Sequence, residues 1–151
     1  MMKLHKLIAT FFGIGYLGKG GGTVAAAVLC LIWLFAPWGQ QAYLWQLIAT
    51  VLVLFAGVWS GNAVDPQWGK DSSKVVIDEV AGMMLTLILL PVDVKYVITG
   101  LVLFRFFDIV KPLFIRKMET LPKGWGVMAD DVLAGLYARL VIQLVVVLHL
   151  F

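Results

Sequence analysis

Charge is scarce and unevenly spread in this chain of 151 residues. Lys, Arg, Asp and Glu make up 14% of it, against about 25% in soluble domains. Residues 20–64 contain none of the four. One membrane crossing needs about 20 apolar residues, so that run has room for two. Hydrophobic residues reach 62% and mean hydropathy is +0.95, which disfavours a soluble globular protein. Cysteine occurs once, as Cys30, so no intrachain disulfide can form. Cys30 sits in AAAVLCLIWLF, where a small buried apolar side chain is expected. No Arg lies six positions after it, which excludes a cysteine-phosphatase loop. The two histidines, His5 and His149, stand at opposite ends, so a histidine nucleophile is not expected. A D-x-D nucleophile motif and an assemblable Ser–His–Asp set are also missing. Met1–Lys6 is basic, but the apolar stretch after it soon meets GKGGG, so no cleavable signal peptide is expected.

The apolar sequence divides into candidate spans at 23–38, 42–63, 76–92, 96–110 and 131–150. The expected fold is all-α: a polytopic membrane bundle of about four to five hydrophobic helices. Residues 4–17 are apolar but broken by glycine, and read as an interfacial or re-entrant segment. Trp33, Trp38, Trp45 and Trp59 fall near span ends, as interface aromatics do. With a cytoplasmic N-terminus and five crossings, Lys3, Lys6, Lys19, Lys70, Lys74, Lys111, Arg116, Lys117 and Lys123 share the cytoplasmic side. Only Lys95 is left on the other, in accord with the positive-inside rule. The same topology brings Gly18–Thr23, Asp65–Glu79, Arg105–Lys111 and Gly124–Asp131 to one face.

Two acidic pairs open long apolar runs: Asp78-Glu79 and Asp130-Asp131. Carboxylates next to hydrocarbon are costly and usually line a polar cavity or pair with a cation. A divalent metal resolves the repulsion, because hard cations prefer carboxylate oxygens. Both acids open the pattern D-x-x-A-G, at Asp78–Gly82 and Asp131–Gly135. Positions three and four beyond each acid share its helix face. Small residues there allow two helices to approach closely. Asp71 sits in a loop with Lys70 and Lys74, as a metal ligand or simply as a solvated loop acid. In LFRFFDIVKP, Arg105, Asp108 and Lys111 recur at spacings of three. They can hide charge as an ion-pair ladder, or bind an anionic head group with Asp108 orienting the cations or holding metal. Arg139 is expected to snorkel or to pair with an acid inside the bundle. GIGYLGKGGGT can offer backbone amides to phosphate, with Lys19 and Thr23 beside them. It lacks the G-x-x-x-x-G-K-[ST] order of a P-loop, and a flexible linker remains the alternative.

Carboxylates, Lys, Arg and a Gly-rich turn on one membrane face suit metal-assisted attack of water on a phosphate ester. GIGYLGKGGGT, Asp71-x6-Asp78-Glu79, FRFFDIVKP and GVMADDVLAG, in that order and spacing, resemble the phosphatidylglycerophosphatase A family of bacterial membrane lipid phosphatases. The resemblance covers most of the chain and implies one membrane-embedded phosphatase domain over 1–151. It implies Mg²⁺-dependent removal of the terminal phosphate of phosphatidylglycerophosphate, giving phosphatidylglycerol. It also implies a multi-pass protein of the bacterial cytoplasmic membrane with its active site facing the cytoplasm. Its partners would be the lipid substrate and the membrane, with no nucleic acid and no obligate protein partner. Carried over by position, Asp78, Glu79, Asp130 and Asp131 form the acidic core that binds Mg²⁺ or activates water. Asp71 joins them as a metal ligand and Asp108 as a catalytic acid, while Arg105, Lys111, Lys19 and Thr23 hold phosphate. Two departures stand out. Gly18-Lys19-Gly20-Gly21-Gly22-Thr23 replaces a P-x-x-P-G-T-like stretch, and Leu113-Phe114 replaces a W-P-like pair. Neither touches the acids. Another lipid or isoprenoid phosphate as substrate, a carboxylate-based cation or proton transporter, and an inactive membrane adaptor are the alternative readings. A transporter would spread its acids through the membrane depth rather than crowd them at one face.

Overall fold

The computed structural model describes residues 1–40, 42–70 and 72–148; Asp71 and His149 lie outside the described residues. The fold is all-α. Its helices are α1 (Met2–Ala9), α2 (Gly21–Phe35), α3 (Ala42–Trp68), α4 (Ile77–Leu87), α5 (Val94–Val110), α6 (Ile115–Met118) and α7 (Gly124–Val147). Each of the five expected spans corresponds to one of α2, α3, α4, α5 and α7.

Their lengths differ from the expectation. Among the described residues, only α3 is long and apolar enough to cross a membrane by itself. At ~1.5 Å rise per residue, the 11 residues of α4 cover about half of a hydrocarbon core of about 30 Å. The 24-residue α7 has the length, but Asp130, Asp131 and Arg139 interrupt its apolar sequence. A bundle in which every helix crosses is therefore not what helix length alone delivers.

The N-terminal segment is helical only as far as Ala9. Left-handed backbone at Phe11, Phe12 and Gly13 then turns the chain into a short 3-10 segment, Ile14–Leu17. His5 packs against Trp59 of α3, the rings tilted at 58° with centroids 4.1 Å apart. One interface assignment fails: Trp33 is buried, lies against Trp38, and accepts the Trp38 indole N–H on its carbonyl at 2.8 Å.

Helix α4 is the hub, packed against α7, α5, α2 and α3. Its contact with α7 depends on the repeated small residues. Ala81 and Ala134 are fully buried. A methyl group on Gly82 would stand 2.5 Å from the Asp131 carbonyl oxygen, and one on Gly135 would overlap the carbonyl of Gly82. Thr86 donates its hydroxyl to the Gly82 carbonyl at 2.9 Å and reaches that of Gly135 at 3.3 Å. The D-x-x-A-G echo thus marks a close crossing of α4 and α7.

Polarity on α3 is reversed relative to a soluble helix. Gln46, Thr50 and Ser60 are buried, whereas Leu44, Leu47, Leu52, Phe55 and Trp59 are exposed. Leu31, Phe35, Val102, Phe106, Ile109, Leu140 and Leu144 continue this apolar exterior over α2, α5 and α7.

Candidate active site

Helices α2 to α5 and α7 alternate in direction, so the start of α2, the end of α3, the start of α4, the end of α5 and the start of α7 meet at one end. The four polar clusters converge there, as the sequence predicts. Contacts across elements tie them together. The Gly124 N–H donates to Asn62 Oδ1 at 2.9 Å, and the Lys70 ammonium donates to the Glu119 carbonyl at 2.8 Å.

Asp78 and Glu79 occupy the first turn of α4, where the helix dipole favours negative charge. The Glu79 N–H donates to Asp78 Oδ1 at 3.1 Å. The close crossing at Gly82 brings Asp131 of α7 to the same place. One carboxylate oxygen from each of Asp78, Glu79 and Asp131 lies within 4.8 Å of the other two. Asp78 and Asp131 are 8% and 3% exposed, so water does little to screen them. At that separation two ionised carboxylates repel by about 3.5 kcal/mol with an effective dielectric near 20. Three such pairs cannot all ionise without a counter-charge.

Part of that charge comes from α5. Arg105 reaches Glu79 at 4.0 Å and pairs with Asp108 at 2.5 Å. Asp108 in turn stands beside Asp131. One guanidinium faces four carboxylates, so the cluster keeps an acidic excess. Glu79 Oε2 is buried and has no hydrogen-bond partner among the described residues. An all-oxygen donor set with an unsatisfied buried oxygen fits a hard divalent cation. The start of α2 completes the wall, because any side chain on Gly22 would overlap the Glu79 carboxylate.

Asp130 belongs to a different cluster. Neighbouring residues on a helix do not face the same way, and Asp130 turns to Lys111, which donates to its Oδ2 at 2.6 Å. Lys111 ends α5 in the left-handed region, at φ 48°, and also donates to Glu119 Oε1 at 2.7 Å. Burial alone would lower its pKa, but these two hydrogen bonds outweigh burial and push it above the usual lysine range. The four expected acids therefore divide into a triad and a lysine-bound aspartate. Lys19 and Thr23 are exposed at the Gly-rich turn. Among the described residues Arg139 pairs with no acid; it donates to Gln143 Oε1 at 2.8 Å and to the Leu89 carbonyl at 3.3 Å. Glu119 is the residue that sequence reasoning missed. Its signal was its position as the sole acid between Lys111 and Lys123.

Residues 7–146 match the phosphatidylglycerophosphatase A family. The chain belongs to that family. Two relatives named phosphatidylglycerophosphatase A are each 34% identical to it. The Haemophilus influenzae protein aligns over 90% of this chain and 85% of its own length, and the Escherichia coli protein over 85% and 76%. A Bacteroides thetaiotaomicron protein provisionally named a phosphatidylinositol-3-phosphatase is 44% identical, over 92% of this chain and 91% of its own. No solved structure matches the chain. Membership makes this a lipid phosphatase of phospholipid metabolism, and the acidic triad is a set of residues able to hold a metal in it.

Proposed function

We propose that this chain hydrolyses the phosphomonoester of phosphatidylglycerophosphate to phosphatidylglycerol and inorganic phosphate, using Mg²⁺, at the cytoplasmic face of the bacterial cytoplasmic membrane. The supporting observation is the meeting of Asp78, Glu79 and Asp131 beside Arg105 at one end of a bundle with an apolar exterior. The reversed polarity of α3 suits a lipid surround, which supports a multi-pass protein acting as one membrane-embedded domain. Acyl chains can then stay in the bilayer while the head group reaches the polar end.

Asp78, Glu79 and Asp131 would hold Mg²⁺. Their carboxylate oxygens lie within 4.8 Å of one another, an all-oxygen set suited to a hard divalent cation. The bound ion would polarise a phosphoryl oxygen and make water more acidic. Arg105, oriented by Asp108, binds a non-bridging phosphate oxygen and stabilises charge there as the P–O bond breaks. Lys111 has three ammonium protons and commits two of them to Asp130 and Glu119. The third is available to phosphate. Asp130 acts by holding Lys111 in place. Lys19 and Thr23 border the head group from the Gly-rich turn.

The Bacteroides relative supports a second reading, in which the substrate is phosphatidylinositol 3-phosphate. Phosphate release by purified protein from each lipid, with Mg²⁺ and with chelator, separates the two. Metal-dependent release from phosphatidylglycerophosphate, lost in Asp78→Asn, is the expected outcome. Release from the phosphoinositide alone keeps the mechanism and replaces the substrate. Release from neither overturns both.

A further inference from the structure

A cavity of about 520 Å³ lies beside the acidic site, lined by Lys70, Arg116, Glu119, Thr120, Gly126 and Val127. Ligand pockets typically span about 300–1,000 Å³. Glu119 joins the cavity to the site: it lines the first and binds Lys111, which binds Asp130 in the second. Gly126 precedes Asp130 by four positions on α7, so the two share a helix face about 6 Å apart along the axis. Two phosphates bridged by three carbons can span that gap. The wall offers two cations against one carboxylate, Glu119, which Lys111 already binds, and this suits a second anion linked to a polyol. Arg116 makes no ion pair among the described residues.

We infer that this cavity binds the phosphodiester and polyol of the lipid head group, with Lys70 and Arg116 facing the diester anion. The inference rests on the lipid phosphatase reading above and deepens it. Both lipids under consideration carry a phosphomonoester and a phosphodiester separated by a polyol. Phosphatidic acid has only the monoester. The cavity therefore selects lipids with two phosphate groups over lipids with one.

Calorimetric titration of the full chain in detergent with Mg²⁺ tests this without turnover. The probes are pentane-1,5-bisphosphonate, which has the spacing of two phosphates on a three-carbon bridge, and pentylphosphonate. The bisphosphonate should bind about tenfold more tightly, the value of one charge-assisted contact of about 1.4 kcal/mol. That ratio should collapse towards one in Arg116→Gln and in Lys70→Met. It should persist in Lys95→Gln, which removes the same charge at the other end of the bundle. Lys70 also braces the Glu119 carbonyl, so Arg116→Gln is the deciding variant. A ratio near one in the unaltered chain, or an undiminished ratio in Arg116→Gln, overturns the assignment. Lipid phosphate release without bisphosphonate preference sinks the cavity and keeps the phosphatase reading. Preference without release from either lipid does the reverse.

Discussion

Gly82→Ala tests whether the closeness of α4 and α7 sets the geometry of the acidic triad. The new methyl group would stand 2.5 Å from the Asp131 carbonyl oxygen and 2.6 Å from Phe104 Cε2, where ordinary contact begins near 3.4 Å. A backbone carbonyl cannot rotate away, so the helices must part by almost 1 Å there. Overpacking of this kind costs about 1–3 kcal/mol, which lowers the melting temperature but leaves most of the chain folded. The catalytic effect is larger, because the residue pushed away is Asp131 itself. A displacement of about 1 Å at a catalytic constellation can cost about a hundredfold in rate. Gly100→Ala is the matched control. Its methyl group meets the flexible ends of Leu87 and Thr86 at 3.1 and 3.2 Å, so its neighbours can yield. Both variants would be assayed for phosphate release at saturating Mg²⁺ and melted in the same detergent. Gly82→Ala should lose about two orders of magnitude in turnover while Gly100→Ala retains nearly all of it. Equal turnover in the two variants, at equal folded fraction, would refute the idea that this crossing positions the triad.

Two further outcomes follow from the charge clusters. Lys111→Met leaves Asp130 buried without its ammonium and should cost about 3 kcal/mol of stability, whereas Glu119→Gln removes a partner that is 40% exposed and should cost under about 1 kcal/mol; denaturant melts compare them, and equal losses would contradict the asymmetry. Mg²⁺ at about a hundred times its Kd should stabilise the protein by about 2.7 kcal/mol, a rise of about 5–10 °C in Tm for a chain of this size. Asp131→Asn should abolish that rise, and an Asp131→Asn protein with full Mg²⁺-dependent turnover would remove Asp131 from the metal set.

Much of the site was legible because acids beside long apolar runs are rare. That conflict singled out Asp78, Glu79, Asp130 and Asp131 together, and D-x-x-A-G anticipated how their helices meet. The separation of Asp130 from Asp131 could not be read the same way. Sequence adjacency suggested a pair, whereas helix geometry sends the two side chains in different directions. Glu119 escaped notice because its one signal, standing as the sole acid between Lys111 and Lys123, is equally what a solvated loop acid shows. Trp33 was misplaced at an interface because aromatic position along a span says nothing about which face is buried. Span lengths were overestimated for α4, since apolar sequence continues past Leu87 into residues that no longer continue the helix.

The arrangement of charge also bears on how many ions take part. With every group ionised, Asp78, Glu79, Asp108 and Asp131 against Arg105 leave an excess of three negative charges. Lys111 between Asp130 and Glu119 leaves one more beside it. A phosphomonoester dianion entering this region is repelled, and one divalent ion reverses only half of the combined excess. A second divalent ion arriving with the substrate would bring the protein groups to neutrality. The rate should therefore rise more steeply than first order in Mg²⁺ at concentrations below saturation. Removing one acid that lies outside the triad should relax that dependence, and Glu119→Gln does so without disturbing Asp78, Glu79 or Asp131. Initial rates of phosphate release over a Mg²⁺ titration, at fixed ionic strength, provide the measurement. A simple hyperbola in the unaltered protein would mean that protons on the buried carboxylates supply the missing positive charge.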